Sequence, residues 1–488
     1  MAMNKKARLF ALCLFLYCIL CSPSCECSSS EEKYYIIEVN TFLIEEGRDF
    51  NAPSGRPSKV VELQELGSEG ADLLINHLNI ASSSSWRDML LQGLERDKYL
   101  ANRIFSHVPN STNLTSSPLE TNAFSAPVSS GSEMQGPEYT VTVSIGTPAL
   151  EQLMGIDTLS SLSWIQCKPC KGCTSNAKFP LYVANQSSSF RSVPCKNSKC
   201  PPLGSDPKDF QSTCDNWGMC TFTDTNSLAQ GSEGDYITDT LQVGKNAFEE
   251  VYIGCAYSFT PSRKLATSGR LGLGRGPLSL VSQNADGQFS YCLPNYLSAR
   301  TTGSLNLGKD SIPSSVKVYT PMQKETKFAS SAYILGLEGI SVGGQRLSVN
   351  MQVPGALPTI TYIHTAVMAT QLVKPVYNDL RASFEEKMKT YAPAVKPASP
   401  FGDFQPCYQL SNITSVKIPI VTLHFKGNAN FDVPAVGTLL QVSSDVVCFP
   451  FSPSPNDAVN IIGNVQQQGI TVAFDNLNNK IGFGSGSC

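Results

Sequence analysis

Charge is scarce in this chain: Asp, Glu, Lys and Arg make up 16% of its 488 residues, and the net charge is -3. Nucleic-acid binders cluster Lys and Arg to neutralise phosphates, so this composition excludes nucleic acid as a partner. Long apolar runs are also missing. The run Leu9–Cys21 is too short to span a bilayer comfortably and no second one follows, so no membrane partner is expected. Cofactor fingerprints are absent as well. Gly272-Leu273-Gly274 has glycines but lacks the strand–helix setting of a dinucleotide site. No cofactor is expected, and the ligand is expected to be a peptide or protein.

What is present starts with length, which exceeds one ordinary core and points to two lobes plus extensions. Lys5, Lys6 and Arg8 precede the apolar run, and small residues follow around Ser22, Ser24 and Cys27. That order reads as a signal peptide over 1–27, so a soluble exported protein is expected; nothing in the sequence sets its oligomeric state, and a monomer is the expectation. Residues 28–125 read as a propeptide or N-terminal extension. Within them Trp86, Met89, Leu90, Leu94 and Ile104 recur roughly at helical spacing, with Arg87, Arg96 and Lys98 interspersed. A linker rich in Ser, Thr, Asn and Pro follows at 105–137.

Cysteine is abundant, at 17 residues, of which five (Cys13, Cys18, Cys21, Cys25 and Cys27) lie in or beside the signal. Twelve remain: Cys167, Cys170, Cys173, Cys195, Cys200, Cys214, Cys220, Cys255, Cys292, Cys407, Cys448 and Cys488. An even number in an exported chain reads as six disulfides of unknown connectivity. The run Cys167-x-x-Cys170-x-x-Cys173 raises zinc as a competitor, but no histidine lies nearby, and no metal is expected. Asn-x-Ser/Thr sequons at Asn110, Asn113, Asn185 and Asn412 could carry glycan and should then be exposed.

The body is expected to be mainly β. Tyr139, Val141, Val143 and Ile145 alternate strictly before the turn Gly146-Thr147-Pro148, and similar alternation recurs at Val416–Ile420 and Ile470–Phe474. The clearest helix runs from Lys374 to Tyr391, with Tyr377, Leu380, Phe384 and Met388 on one face. The chemistry-bearing segment is Met154–Ser160, where Asp157 follows an apolar strand inside a Thr/Ser-rich turn. Alone, such an Asp caps a turn. Paired with a second carboxylate it could hydrolyse a peptide, because two carboxyls at close range share one proton and act as acid and base.

YTVTVSIGTP from Tyr139 and IDTLSSLSWIQCKPC from Ile156 resemble the entry strand and first active-site loop of plant nepenthesin-type aspartic proteases, of peptidase family A1. The likeness continues in order through GRLGLGRGPLSLVSQ from Gly269, FSYCL from Phe289, YILGLEGISVGGQRL from Tyr333 and IIGNVQQQGITVAFDNLNNKIGFG from Ile461. It implies a disulfide-rich, bilobal, pepsin-like β fold from internal duplication, with one catalytic loop per lobe. The lobes are expected at 126–325, including a cysteine-rich insertion, and at 326–488. The implied location is the extracellular space or apoplast, with the vacuole as an alternative.

This sequence departs from the family pattern at three places. The first loop should read Asp-Thr-Gly-Ser; Asp157, Thr158 and Ser160 match, but Leu159 replaces the Gly that permits close backbone approach. The second should read Asp-Ser-Gly-Thr, and counting back from Tyr377 gives His364, Thr365, Ala366 and Val367. No Asp or Glu occurs between Asn350 and Asn378, so no shift of register recovers the acid. The flap tyrosine is replaced by Asn226. At mildly acidic pH, His364 is expected to be protonated and paired with Asp157. These changes point to a weak or inactive endopeptidase. An Asp157–His364 acid–base pair remains open, as does a non-catalytic peptide binder or enzyme inhibitor on the same scaffold.

Overall fold

The computed structural model describes residues 32–39, 90–97, 124–130, 138–173, 178–197, 200, 211–224, 232–259, 267–284, 286–296, 302–323, 332–348, 359–396, 404–486 and 488. The signal segment, Asn110, Asn113, Asn226 and the expected lobe boundary at 325/326 lie outside these residues. Among the described residues no helix is long and apolar enough to cross a membrane.

The fold is mainly β. The alternating stretch forms strand Tyr139–Ile145, which pairs antiparallel with Leu150–Asp157. A 15-stranded sheet then joins strands of the first half, from Phe124–Ser130 onward, to the last two strands. Strand Lys480–Ser485 pairs with Ile470–Asp475, which lies beside Gln288–Cys292, and the ladder continues through Gly303–Leu307 to Phe124–Ser130. Phe289 stacks on Phe474 with centroids 4.4 Å apart, so ring packing reinforces this junction.

Each candidate loop emerges from the end of a strand held parallel to another. In the first half Leu150–Asp157 runs parallel to Gly269–Gly272, with Gly272 beside Asp157. In the second half Ile360–Ile363 runs parallel to Val459–Ile462. All four residues of Ile360–Ile363 and of Val459–Ile462 are buried. Parallel strands covered on both faces are mostly apolar, and the two polar residues here, Thr361 and Asn460, satisfy each other: Asn460 Nδ2 donates to Thr361 Oγ1 at 3.2 Å. Gly272 permits the close approach beside Asp157: a Cβ there would meet the Leu162 carbonyl carbon at 2.8 Å.

The predicted helix is Lys374–Met388, with a proline in its first turn and Val376, Tyr377, Leu380, Phe384 and Met388 buried. Residues of the expected propeptide also belong to the fold. Tyr34–Glu38 adds an antiparallel strand to Ser415–Pro419, and residues 90–97 are helical. Val39, Leu90 and Leu94 join the main hydrophobic core.

All twelve body cysteines are paired: Cys167–Cys255, Cys170–Cys173, Cys195–Cys214, Cys200–Cys220, Cys292–Cys488 and Cys407–Cys448. The zinc alternative requires thiolates, and the sulfurs of Cys167, Cys170 and Cys173 are all in disulfides. Asn185 and Asn412 are exposed.

Candidate active site

The two loops meet through reciprocal threonine contacts. Thr158 N–H donates to Thr365 Oγ1 and Thr365 N–H donates to Thr158 Oγ1, each at 3.2 Å. Thr365 Oγ1 donates onward to the Ile156 carbonyl at 2.9 Å, and Thr158 Oγ1 to the Ile363 carbonyl at 3.4 Å. The pattern is nearly two-fold symmetric and joins residues distant in sequence. Asn464 extends it, donating to the Thr365 carbonyl at 2.7 Å while its own N–H bonds the Val367 carbonyl.

This grip brings Asp157 and His364 together. His364 Nε2 lies 4.0 Å from Asp157 Oδ1, with both side chains buried. Asp157 Oδ1 accepts the N–H groups of Leu159 at 2.9 Å and Ser160 at 3.2 Å. His364 Nδ1 accepts the N–H of Ala366 at 2.9 Å. The imidazole thus receives the same i+2 backbone donor that the carboxylate receives in the other loop. A nitrogen that accepts a hydrogen bond carries no proton, so neutral His364 bears its proton on Nε2, facing Asp157.

Burial pushes the His364 pKa down to about 4 and the Asp157 charge only partly opposes it, while Arg270 and Arg96 add to the depression. This corrects the expectation of a protonated His364: at mildly acidic pH the ring is neutral, because burial disfavours its charged form and two arginines already stand nearby. Asp157 behaves oppositely. Burial pushes its pKa up, but His364, Arg270 and the two N–H bonds outweigh burial and leave it below the usual carboxylate value. With His364 neutral above about pH 4, the lasting counter-charge is Arg270. Its Nη1 lies 3.5 Å from Asp157 Oδ2 and its Nη2 donates to Glu138 Oε1 at 2.9 Å.

Arg270 was not singled out from sequence. It sits inside the Gly269–Gln283 motif, where an arginine among apolar strand residues was the available signal. Leu159 reaches across to the apolar cluster of Ala332, Ile334, Ile360, Tyr362, Ala366 and Val367, so it bridges the loops where a glycine would leave space. The flap residue Asn226 is outside the described residues.

Two family models match in sequence order: "Xylanase inhibitor N-terminal" over residues 139–309 and "Xylanase inhibitor C-terminal" over 332–485. Aspartyl protease 25 of Oryza sativa subsp. japonica is 33% identical over 384 residues, 75% of this chain and 85% of that protein. Aspartic proteinase nepenthesin-1 of Nepenthes gracilis is 31% identical over 363 residues, 72% of this chain and 78% of that protein. The crystal structure of edgp superposes with a TM-score of 0.59 at 18% identity, covering 76% of this chain and 96% of that one. Basic 7S globulin from soybean gives a TM-score of 0.59 at 19% identity, covering 75% and 97%.

Proposed function

The chain belongs to the pepsin-like aspartic protease family of plants, and from that premise we propose that it is an exported member whose interlobe site binds a peptide or protein segment without cutting it. The observation that carries this reading is the Arg270–Asp157 pair. Peptide hydrolysis requires one group to take a proton from water and another to give one to the leaving amine. In the family two carboxyls share that proton. Here the guanidinium beside Asp157 favours its ionised form, and the second loop, His364–Val367, supplies no carboxyl to hold the shared proton. His364 does not replace it. The lone pair of the neutral ring is engaged by Ala366 N–H, and the Nε2–H that faces Asp157 is far too weak an acid to protonate an amine.

The matching models are described as xylanase inhibitors. That description favours a secreted enzyme as one class of partner, held by surface loops rather than processed in the cleft. The test of the non-catalytic reading is peptide turnover by purified protein from about pH 3 to about pH 7, beside Asp157→Asn. Both are expected to show the same background. Turnover by wild type that Asp157→Asn abolishes would overturn the reading and make Asp157 and His364 a working pair.

A further inference from the structure

The six disulfides differ in how far solvent reaches them. Cys167–Cys255 and Cys407–Cys448 are buried at both ends, and Cys200–Cys220 and Cys292–Cys488 each bury one cysteine. Cys170–Cys173 and Cys195–Cys214 contain no buried cysteine. These last two differ in charge. Lys168 and Lys171 stand on either side of Cys170, and both are exposed. At the other bridge Lys196 follows Cys195 and Asp215 follows Cys214, so cation and anion offset each other. A neighbouring cation stabilises the thiolate released when a disulfide breaks, and a neighbouring anion opposes it. Cys170 also lines a groove of about 650 Å³, together with Lys168, Pro169, Leu181 and Val183 among the described residues.

The Cys170–Cys173 bridge also encloses the least chain. Its cysteines are 3 residues apart, against 19 to 196 for the other five. A cross-link restrains the unfolded chain more the longer the loop it closes, so this bridge contributes least to stability. The backbone around it is held by other means. Lys168 N–H donates to the Tyr182 carbonyl at 2.8 Å, and Phe259 N–H donates to the Lys171 carbonyl at 3.1 Å. The buried Cys167–Cys255 bridge anchors the same strand, Trp164–Lys171. Opening Cys170–Cys173 therefore leaves its surroundings in place.

We propose that Cys170–Cys173 is a thiol–disulfide exchange site that takes electrons from a dithiol, while the other five bridges stay closed. One thiolate of the dithiol attacks Cys170, the member of the pair that lines the groove. A mixed disulfide forms, the Cys170–Cys173 bond breaks, and Cys173 leaves as a thiolate that takes up a proton. The second thiolate of the reductant then attacks the reductant sulfur of the mixed disulfide and releases Cys170, which is protonated in turn. Two electrons and two protons pass to the chain, and the reductant leaves as its own disulfide. The reverse sequence recloses the bridge, because the held backbone keeps the two thiols within reach of each other.

The test exposes the oxidised full chain to dithiothreitol at about pH 8, where the reductant is partly thiolate. Opened thiols are trapped with iodoacetamide at intervals and located by mass mapping. Cys170 and Cys173 are expected to alkylate together, about tenfold or more faster than any other pair. The melting temperature of the opened protein is expected to stay within about 5 °C of the oxidised form. Oxidised glutathione added before trapping is expected to restore the bridge. Combining Lys168→Gln with Lys171→Gln, both exposed positions, is expected to slow opening about threefold or more. Opening of Cys195–Cys214 first or equally fast, unfolding when Cys170–Cys173 opens, failure to reclose, or an unchanged rate in the lysine variant overturns the proposal. These readouts follow the cysteines alone, so their failure leaves the turnover result untouched.

Discussion

The Arg270 guanidinium lies 3.5 Å from the Asp157 carboxylate, and both side chains are buried. Removing the cation strands Asp157 and weakens the support of Glu138. Arg270→Met is expected to lower stability by about 3–5 kcal/mol, the usual penalty for breaking a buried pair from one side. Adding Asp157→Asn should recover part of it, because the stranded charge is then gone. Denaturant midpoints measure both. An Arg270→Met protein as stable as wild type would sink the counter-ion role.

The same pair sets what is needed to restore hydrolysis. His364→Asp alone is expected to stay inactive, because Leu159 still bridges the loops and Arg270 still neutralises Asp157. A variant combining Leu159→Gly, His364→Asp, Ala366→Gly and Arg270→Leu returns two carboxyls and an uncrowded turn at each. Peptide turnover at acidic pH is expected from the fourfold variant and not from His364→Asp. Turnover by the single variant would show that the loops tolerate Leu159 and Arg270.

His364 and Asp97 make opposing contributions to stability against pH. His364 titrates near 6.5 unfolded and about 4 folded, so its contribution is complete above pH 6.5 and is lost as pH falls towards 4. That loss is on the order of 3 kcal/mol. Asp97 has its pKa raised from 3.8 to about 6, so its contribution grows over much of the same fall in pH. Its gain is also on the order of 3 kcal/mol. The two nearly cancel between about pH 6 and about pH 4. His364→Asn, which keeps an acceptor for the Ala366 N–H, is expected to gain stability on acidification relative to wild type. Asp97→Asn is expected to lose it. Melting temperatures across this range that move in parallel for all three proteins would refute both assignments.

The threonine grip predicts a coupling. Thr158→Val removes the acceptor of the Thr365 N–H, and Thr365→Val removes the acceptor of the Thr158 N–H. Each is expected to cost about 1–3 kcal/mol by leaving a buried amide unpaired. The double variant should cost less than the sum, since each change damages the same junction. Strict additivity, read from chemical denaturation, would mean that the two loops are held independently.

The β character of the body and the helix at Lys374–Met388 were legible because they rest on local periodicity. Tyr139–Ile145 alternates because one strand has two faces, and Tyr377, Leu380, Phe384 and Met388 recur because one helix has one buried side. The missing second acid was legible too, since no Asp or Glu stands between Asn350 and Asn378. The charge state of His364 was not. It depends on burial and on Arg96 and Arg270, which the fold brings in from elsewhere in the chain.

The sequence by itself determined the strands, the order of the family motifs, the even cysteine count and the loop positions where Leu159, His364 and Ala366 stand. Only the tertiary structure decided that Arg270 faces Asp157, that Asp97 caps Met368 and Ala369, and which cysteines pair. Periodicity and motif spacing are properties of neighbouring residues and survive in a linear string. Electrostatic partners and disulfide pairings are set by approach in space, and the sequence holds that information only through the packing of the whole chain.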